Sequence, residues 1–309
     1  MTVQVFKTFW KGLTAGLLAF GCFLSFAACG NTNQGEDMTD TNVAPETEAG
    51  TESQTEKPRL YDTVLTERIV ERNGDRLAVN FCREDLIHFR FLPKGEEFLS
   101  WDAVPEAIAK PDTAYGEVYG ECEEDETAFT LRTEGLTVKV DKSSLGITVL
   151  DPSGNPVFAS AAQAFSKDGI GKTARFKRDV AGQEHYYGLG NDKGGDFTTT
   201  DHRNTEYSIW MSDDNVHAII PLWYSSNGYG IYSNNSNRGT VSFKQDYHLH
   251  VEGGELNFYF LYGPEFKTIL TNWSELAGRT AMPPLYALGL TYRGYSKWTD
   301  AQILEALRA

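Results

Sequence analysis

Between residues 59 and 262 the chain alternates apolar and polar positions in short runs. Runs with this period of two, rich in Val, Ile, Phe, Tyr and Thr and separated by Gly, Pro, Asn and Asp, are typical of β-strands. The predicted strands are residues 63–70, 76–81, 86–92, 128–133, 136–141, 146–151, 157–158, 173–178, 216–224, 230–233, 240–243, 247–251 and 255–262. Residues 93–125 are acidic and irregular, and are predicted as a loop. No long helix is predicted before residue 265, so the pattern indicates a mostly β fold with two packed antiparallel sheets, a β-sandwich.

After residue 262 the period changes. Residues 265–276 repeat apolar side chains at helical spacing, and the apolar face is formed by Phe266, Ile269, Leu270, Trp273 and Leu276. Two prolines at 283–284 then force an extended chain. An apolar run at 285–290 predicts a strand, and residues 301–309 predict a helix that Thr299 and Asp300 can cap. Strand, loop and helix together predict one βα unit, the repeating unit of a (β/α)₈ barrel.

The first 58 residues have a different composition. Lys7 and Lys11 precede an apolar run at 12–28, which ends in small residues before Cys29. This order is typical of a secretory signal peptide, and the cysteine resembles a bacterial lipobox that is cleaved and lipidated at Cys29. A plain signal peptide and an uncleaved anchor are the alternatives. Residues 30–58 contain seven acidic residues and one lysine, with almost no apolar residue, and are predicted as a disordered tether.

Charge and cysteine content narrow the function classes. The formal net charge is −15 and the basic residues are scattered, which argues against a nucleic-acid partner. The aromatic content of 13% suits a sandwich core and also a carbohydrate-contacting surface. Cys82 and Cys122 follow the export segment, and a disulfide and two buried free thiols are both compatible with an exported protein. We predict no cofactor.

No metal site is predicted. His248, His250 and Glu252 alternate along one strand face, but one strand supplying all the ligands would be strained, and surface alternation gives the same pattern. The glycines of residues 188–190 precede no helix, so they do not form a phosphate loop.

Four segments, in this order, carry a resemblance to a known family. They are EHYYGLG at 184–190; WMSD at 210–213; PLWYS at 221–225 with GYGIY at 228–232; and YGP at 262–264 with LAGR at 276–279, PP at 283–284 and ALG at 287–289. Together they resemble glycoside hydrolase family 31, whose patterns are E-x-x-YGLG, W-x-x-D, P-F-Y-x-S…GYG and YGP…L-x-GRP…LPP-x-x-ALG. Thr280 stands where the family pattern has proline.

The resemblance implies a sandwich similar to galactose mutarotase, followed by the start of the catalytic barrel. It further implies a substrate-binding role for Asp213, whose carboxylate would accept hydrogen bonds from sugar hydroxyls. Tyr292 and Arg293 would end the first barrel strand, where barrel enzymes place their sites. The solvated-turn interpretation of Asp213, with Asp214 equally eligible, and structural roles for Tyr292 and Arg293 stay open.

The family resemblance implies a retaining mechanism, in which two carboxyl groups lie across the scissile bond. No Asp or Glu here matches either family position, so the chain is predicted to be inactive alone. The hypothesis is an exported, lipid-anchored fragment of an α-glycosidase, with a carbohydrate partner. A free-standing carbohydrate-binding lipoprotein and a purely structural domain are the alternatives. The predicted boundaries are 1–29 for the signal peptide, 30–58 for the tether, 59–284 for the sandwich and 285–309 for the βα unit.

Overall fold

The computed structural model describes residues 59–99, 110–190, 201–209, 219–288 and 299–308. Within these ranges the chain forms mostly β-strands, joined by tight turns, with helices after the last strand. The strands are β1 (Thr63–Val64), β2 (Arg68–Arg72), β3 (Asp75–Arg83), β4 (Leu86–Leu92), β5 (Tyr119–Glu124), β6 (Ala128–Arg132), β7 (Thr137–Asp141), β8 (Ile147–Leu150), β9 (Pro156–Asp168), β10 (Gly171–Phe176), β11 (Tyr186–Gly190), β12 (Glu206–Ser208), β13 (Ile219–Ser225), β14 (Tyr229–Ser233), β15 (Gly239–Ser242), β16 (Tyr247–Val251) and β17 (Leu256–Tyr262). The helices are α1 (Phe266–Leu276) and α2 (Asp300–Arg308), and short 3-10 helices occur at Asp112–Ala114 and Leu285–Leu288.

The strands form two antiparallel sheets. One has ten strands in the order β1-β5-β6-β7-β8-β9-β10-β16-β15-β12, and the other has seven in the order β11-β13-β14-β17-β4-β3-β2. The predicted two-sheet sandwich is confirmed. The chain changes sheet several times, so neighbouring strands such as β4 and β17 come from distant parts of the sequence.

The main core lies between the two sheets and is unusually aromatic. Phe158 is fully buried and contacts Phe176, Tyr229 and Phe260 at ring-centroid distances of 5.2–5.3 Å. Edge-to-face and offset contacts of this kind stabilise a core beyond the area that they bury. The aromatic residues of this chain therefore serve the core first, which agrees with the composition.

Most predicted strands are confirmed, and residues 86–92 and 247–251 match the observed bounds. The predicted loop at 93–125 is wrong at its end, where residues 119–124 form β5 and complete the ten-stranded sheet. The strand predicted at 157–158 extends to Asp168 because it pairs with both β8 and β10. Periodicity missed this strand because small and polar residues make up most of its length.

The predicted barrel strand at 285–290 is also wrong where the structure describes it. Residues 285–288 form a 3-10 helix, with Leu285 85% exposed. A strand needs a neighbour for its backbone hydrogen bonds, and no described strand pairs with this segment. The predicted last helix is confirmed as α2. Thr299 and Gln302 exchange hydrogen bonds at its start, which is the reciprocal arrangement of a capping box. Residues 289–298, which include the end of the predicted barrel strand, lie outside the described ranges.

Helix α1 crosses the outer face of the seven-stranded sheet. Phe266 contacts Tyr224 of β13, Ile269 packs against β14, and the Asn272 amide donates to the Tyr262 carbonyl of β17 at 3.2 Å. Its buried residues are Ile269, Asn272 and Leu276. The predicted apolar face is therefore partly confirmed, because Leu270 is exposed and a polar residue, Asn272, is buried.

Another part of this outer face, over β3, β4 and β17, is covered by the segment before β5, which places charged groups in the interior. Asp112 accepts hydrogen bonds from His88 Nδ1, Asn80 Nδ2 and Tyr259 Oη, each at 2.8 Å. The His88 side chain is fully buried, and its other ring nitrogen faces Asn257 Oδ1. Both ring nitrogens of His88 therefore lie within hydrogen-bond distance of a buried polar side chain.

The two cysteines of the described ranges are unpaired. Cys82 is buried under the covering segment, and Cys122 is exposed on β5. A Cys82–Cys122 disulfide is therefore wrong, and so is the alternative of two buried thiols, because Cys122 is exposed. None of the helices in the described ranges has the length and apolar content needed to cross a membrane.

Substitution Asp112→Asn tests the buried pair. Burial alone raises the pKa of Asp112, but the His88 charge and the hydrogen bonds outweigh it, so the pKa lies below its ordinary value. A lowered pKa contributes stability that is present above about pH 4 and is lost as the pH falls through the folded-state value. We expect the variant to lose about 3–5 kcal/mol at pH 7 by urea unfolding.

At pH 3 the Asp112 carboxyl of the parent protein begins to be protonated as well, so its charge contributes less to stability. The difference in free energy of unfolding between parent and variant should therefore be smaller than at pH 7. Asp168→Asn, at the exposed β9–β10 turn, is the matched control and should leave the unfolding midpoint unchanged. A deficit of equal size at both pH values would show that the charge of Asp112 does not contribute.

Candidate functional site

The predicted substrate-binding residues fall outside the part of the chain that the structure describes. Asp213 belongs to the segment 210–218, and Tyr292 and Arg293 to the segment 289–298. Cys29 lies in the first 58 residues, which are also outside the described ranges. Their roles stay predictions. The structure describes the residues on either side of the Asp213 segment.

The two ends of the Asp213 segment are attached to different sheets. Ile209, just before it, is buried and donates its backbone N–H to the Gly239 carbonyl of β15 at 3.0 Å. Ile219, just after it, begins β13 and pairs with Gly190 of β11. Because Gly190 also precedes the segment 191–200, the segments 191–200 and 210–218 leave the seven-stranded sheet at the same end.

The glutamate of the first motif is a fully buried acid. Glu184 Oε1 accepts hydrogen bonds from Ser225 Oγ at 2.5 Å and Tyr229 Oη at 2.6 Å, and Oε2 accepts from the Asp179 backbone N–H at 3.0 Å. Ser225 ends the PLWYS motif and Tyr229 belongs to the GYGIY motif. Two of the four segments that carry the family resemblance, the first and both parts of the third, therefore meet at one carboxylate.

Aromatic residues enclose this carboxylate on the core side. The Tyr186 ring stacks on Phe243 at 4.6 Å, and Trp223 Nε1 donates to Tyr247 Oη at 2.7 Å. Burial first, and then the nearby Tyr247 and Glu184, raise the pKa of Tyr229 well above its ordinary value, so this phenol stays neutral and donates to Glu184. The Glu184 carboxylate is bound by groups inside the protein, so its role is structural. It joins the start of β11 to β13 and β14.

Ion pairs fix the chain on the outer side of Glu184. Arg203 binds Asp179 through both carboxylate oxygens, at 2.7 and 3.0 Å, and also donates to the Glu184 carbonyl. The Arg203 hydrogen bond is the largest cause that lowers the pKa of Asp179, to about 2. Asp201 contacts His185 Nδ1 at 2.6 Å and accepts the Tyr186 N–H at 3.1 Å. These bonds hold Asp201 against the start of β11.

The third and fourth motifs meet at the start of α1. Gly228 has φ +82°, in the region that glycine favours, and its carbonyl accepts the Gly263 N–H at 3.0 Å. A Cβ on Gly230 would lie 2.6 Å from Ile269 of α1, so a larger residue would push the helix from the sheet. The GYG motif is therefore explained by a tight turn and by close helix packing.

The alternating residues of β16 are held by ordinary polar contacts. His250 Nδ1 lies 3.0 Å from Thr173 Oγ1, and His248 Nδ1 lies 2.9 Å from the Asp246 carbonyl. Within the described ranges no three His, Cys, Asp or Glu side chains are grouped so that they could hold a metal ion.

Sequence reasoning assigned Glu184 only as a motif residue and missed its buried network. The available signal is a glutamate directly before a run of aromatic residues that alternate into the core. Such a signal cannot identify the partners, because Ser225 and Tyr229 lie more than forty residues away along the chain.

Comparisons with known proteins agree with this arrangement. A family model described as the glycosyl hydrolase 31 N-terminal galactose mutarotase-like domain matches residues 76–241, more than half of the chain. The matched range contains the Glu184 network and the Asp213 segment.

Individual relatives cover most of this chain and a smaller part of their own length. An alpha-glucosidase 2 of Bacillus thermoamyloliquefaciens is 26% identical over 245 residues, which cover 74% of this chain and 30% of the relative. An alpha-xylosidase, XylQ, of Lactiplantibacillus pentosus is 31% identical over 118 residues, or 35% of this chain and 15% of the relative. A Flavobacterium johnsoniae GH31 dextranase solved with glucose has a TM-score of 0.63 at 22% identity, over 75% of this chain and 30% of its own.

The substitution Glu184→Gln tests the structural role of the buried acid. Both carboxylate oxygens accept hydrogen bonds, so the amide NH₂ of glutamine would face a donor on one side. We expect a loss of about 1–3 kcal/mol in the free energy of unfolding, because one buried donor loses its acceptor.

Urea unfolding of the variant, compared with Glu252→Gln on the exposed end of β16, measures this difference. The control should stay within about 0.5 kcal/mol of the parent protein. Equal midpoints for the two variants would show that the carboxylate is not needed to join the three strands.

Proposed function

Because the chain belongs to glycoside hydrolase family 31 through its N-terminal galactose mutarotase-like domain, we propose that the whole protein hydrolyses O-glycosyl bonds of α-linked sugars. The family match over residues 76–241 carries this proposal. The chain spans 30% of the length of the alpha-glucosidase that it matches, so the activity is proposed for the whole protein and not for the sandwich alone. The reaction is a double displacement that retains the anomeric configuration.

The sandwich would support this reaction without performing its chemistry. A retaining glycosidase needs one carboxyl as nucleophile and a second as acid and base, about 5–5.5 Å apart. The buried carboxylates of the described ranges are occupied by internal partners. Glu184 binds hydroxyls, Asp112 pairs with His88, and Glu255 binds Arg90 Nε at 2.5 Å. None of these three is placed to reach a sugar.

We assign substrate binding to the segment that carries Asp213. The described residues on either side of it, Ile209 and Ile219, are held on β15 and β13. Tyr292 and Arg293 are proposed as further contacts, through stacking on a sugar ring and hydrogen bonds to its hydroxyls.

Kinetics of the whole protein with aryl α-glucosides and aryl α-xylosides test this assignment. Asp213→Ala should lower kcat/KM about 10- to 100-fold, because a hydrogen bond to a charged group contributes about 1.5–3 kcal/mol. The unfolding midpoint should not change, since this carboxylate is proposed to face the substrate.

Asp214→Ala is the matched control and should retain the parent kcat/KM. Loss of activity in Asp214→Ala alone would move the binding role to that residue. A protein that binds oligosaccharides without hydrolysing any of them would instead support the carbohydrate-binding lipoprotein.

We also propose that the protein is exported and anchored to the membrane by a lipid on Cys29. The support is the order of Lys7 and Lys11, the apolar run at 12–28 and the small residues before the cysteine. Mass spectrometry of the protein from its native host should find Cys29 as a diacylated or triacylated first residue. Cys29→Ala should release it from the membrane fraction. An intact Met1, or a mature Cys29 without lipid, would contradict the proposal.

A further inference from the structure

A surface groove of ≈ 520 Å³ lies at one end of the sandwich. The turn after β3, the turn between β6 and β7, the turn after β8 and the junction of β17 with α1 all meet there. Tyr262 lies in the groove and pairs with Tyr229, next to the turn that ends β13. The Asp213 segment joins β13 at its other end, at Ile219, and a strand of this length spans about 20 Å. The groove and that attachment are therefore at opposite ends of the strand.

One part of the groove lining is apolar. It includes the half-buried Tyr262 ring and the exposed Pro152 and Pro264. The Tyr262 backbone is fixed on both sides, because its N–H donates to the Asp85 carbonyl at 2.8 Å and its carbonyl accepts from Asn272 at 3.2 Å. A ring held in this way can bind an apolar ligand face without losing much conformational freedom.

The charged wall of the groove consists of Arg83, Glu84 and Asp85, and the positive charge of Arg83 is already paired. Arg83 donates from Nε and one terminal nitrogen to both oxygens of Asp85, at 2.8 Å each, and a further ion pair joins it to Glu275. Such a bidentate pair leaves little net positive charge for an incoming anion. The groove is therefore unsuited to phosphate or carboxylate ligands.

Two hydroxyl groups in the groove are available to a ligand. Thr268 Oγ1 and Tyr262 Oη have no hydrogen-bond partner among the described residues, and both residues line the groove. Burial, and then the Asp151 carboxylate, raise the pKa of Tyr262, so its hydroxyl stays protonated. Each hydroxyl can donate and accept one or more hydrogen bonds, which suits a neutral polyol.

We propose that this groove binds one pyranose ring of a neutral oligosaccharide, with the C–H face of the sugar on Tyr262 between the two prolines. The sugar hydroxyls would bind Thr268, the Tyr262 hydroxyl and the remaining Arg83 N–H. This inference rests on the proposed function, since a protein that acts on saccharides would meet this ligand. The groove is of ordinary size for a small ligand, but few polar contacts imply weak affinity, in the millimolar range. On a polymer, a second weak contact raises the effective concentration of the chain near the protein.

Saturation-transfer NMR of the whole protein with isomaltotriose, maltotriose and xylotriose tests the proposal. Binding is measured in the parent protein and in the Asp213→Ala variant, so that occupancy of the groove is separated from binding by the Asp213 segment. In the Asp213→Ala background we expect millimolar binding that Tyr262→Ala lowers at least 10-fold. Thr268→Val, which keeps the ring, should lower it about 3- to 10-fold, because it removes one hydrogen bond.

Tyr61→Ala, a partly buried tyrosine outside the groove, is the control and should leave binding unchanged. Thermal unfolding shows whether Tyr262→Ala is folded; if it is not, Thr268→Val decides. Binding that is as strong in both folded groove variants as in the Asp213→Ala protein, no binding of any of the three sugars in the Asp213→Ala background, or tighter binding of glucuronic acid than of glucose would overturn the proposal. These outcomes need no turnover, so failure of the groove is distinguishable from failure of the proposed hydrolysis.

Discussion

The central strand β4 of the seven-stranded sheet is covered on both faces, and this constraint determines much of the rest of the structure. The inner face of the sheet packs against the ten-stranded sheet, while α1 and the segment before β5 lie on its outer face. All seven residues of β4 are buried as a result. The polar side chains of β4 on the outer face cannot reach bulk water, so each needs an internal partner. Asp112 and Glu255 meet this need for His88 and Arg90.

Burying charged side chains is unfavourable, and this explains why the covering segment makes several polar contacts with the sheet. Removing two opposite charges from water costs several kcal/mol per ion, and good geometry with additional hydrogen bonds is needed to offset it. The additional bonds are present, because Asp112 also binds Asn80 and Tyr259, and Arg90 also donates to the Leu99 carbonyl at 2.7 Å. The covering segment is thus held by polar contacts at points on both sides of residues 100–109.

A second buried acid organises the part of the sandwich nearest the family motifs. Glu184 joins three strands through hydroxyl and backbone donors, and Arg203 and Asp201 fix the chain outside it. The motif residues that the structure describes therefore have structural roles. They determine strand pairing, turn geometry and how closely α1 packs against the sheet. The described residues next to the segments 191–200 and 210–218, Gly190 and Ile219, pair at one end of this region.

The sequence by itself determined the class of fold and the family. Alternation of apolar residues predicts strands because a strand places successive side chains on opposite faces, and this local rule located most of them, including β4 and β16. It failed for β5, β9 and the segment 285–288, where the outcome depends on whether a partner strand is present. Asp213, Tyr292 and Arg293 were reached only through the family resemblance and lie outside the described ranges.

Only the tertiary structure decided which polar residues are buried. The alternation of β4 is equally compatible with His88 and Arg90 facing solvent. Their partners lie 24 and 165 residues away along the chain, and Glu184 finds Ser225 and Tyr229 at separations of 41 and 45 residues. Periodicity is a property of neighbouring residues, whereas the pairing of a buried charge depends on which distant segment covers it. That is the physical reason why the charged networks of this protein could be seen only after folding.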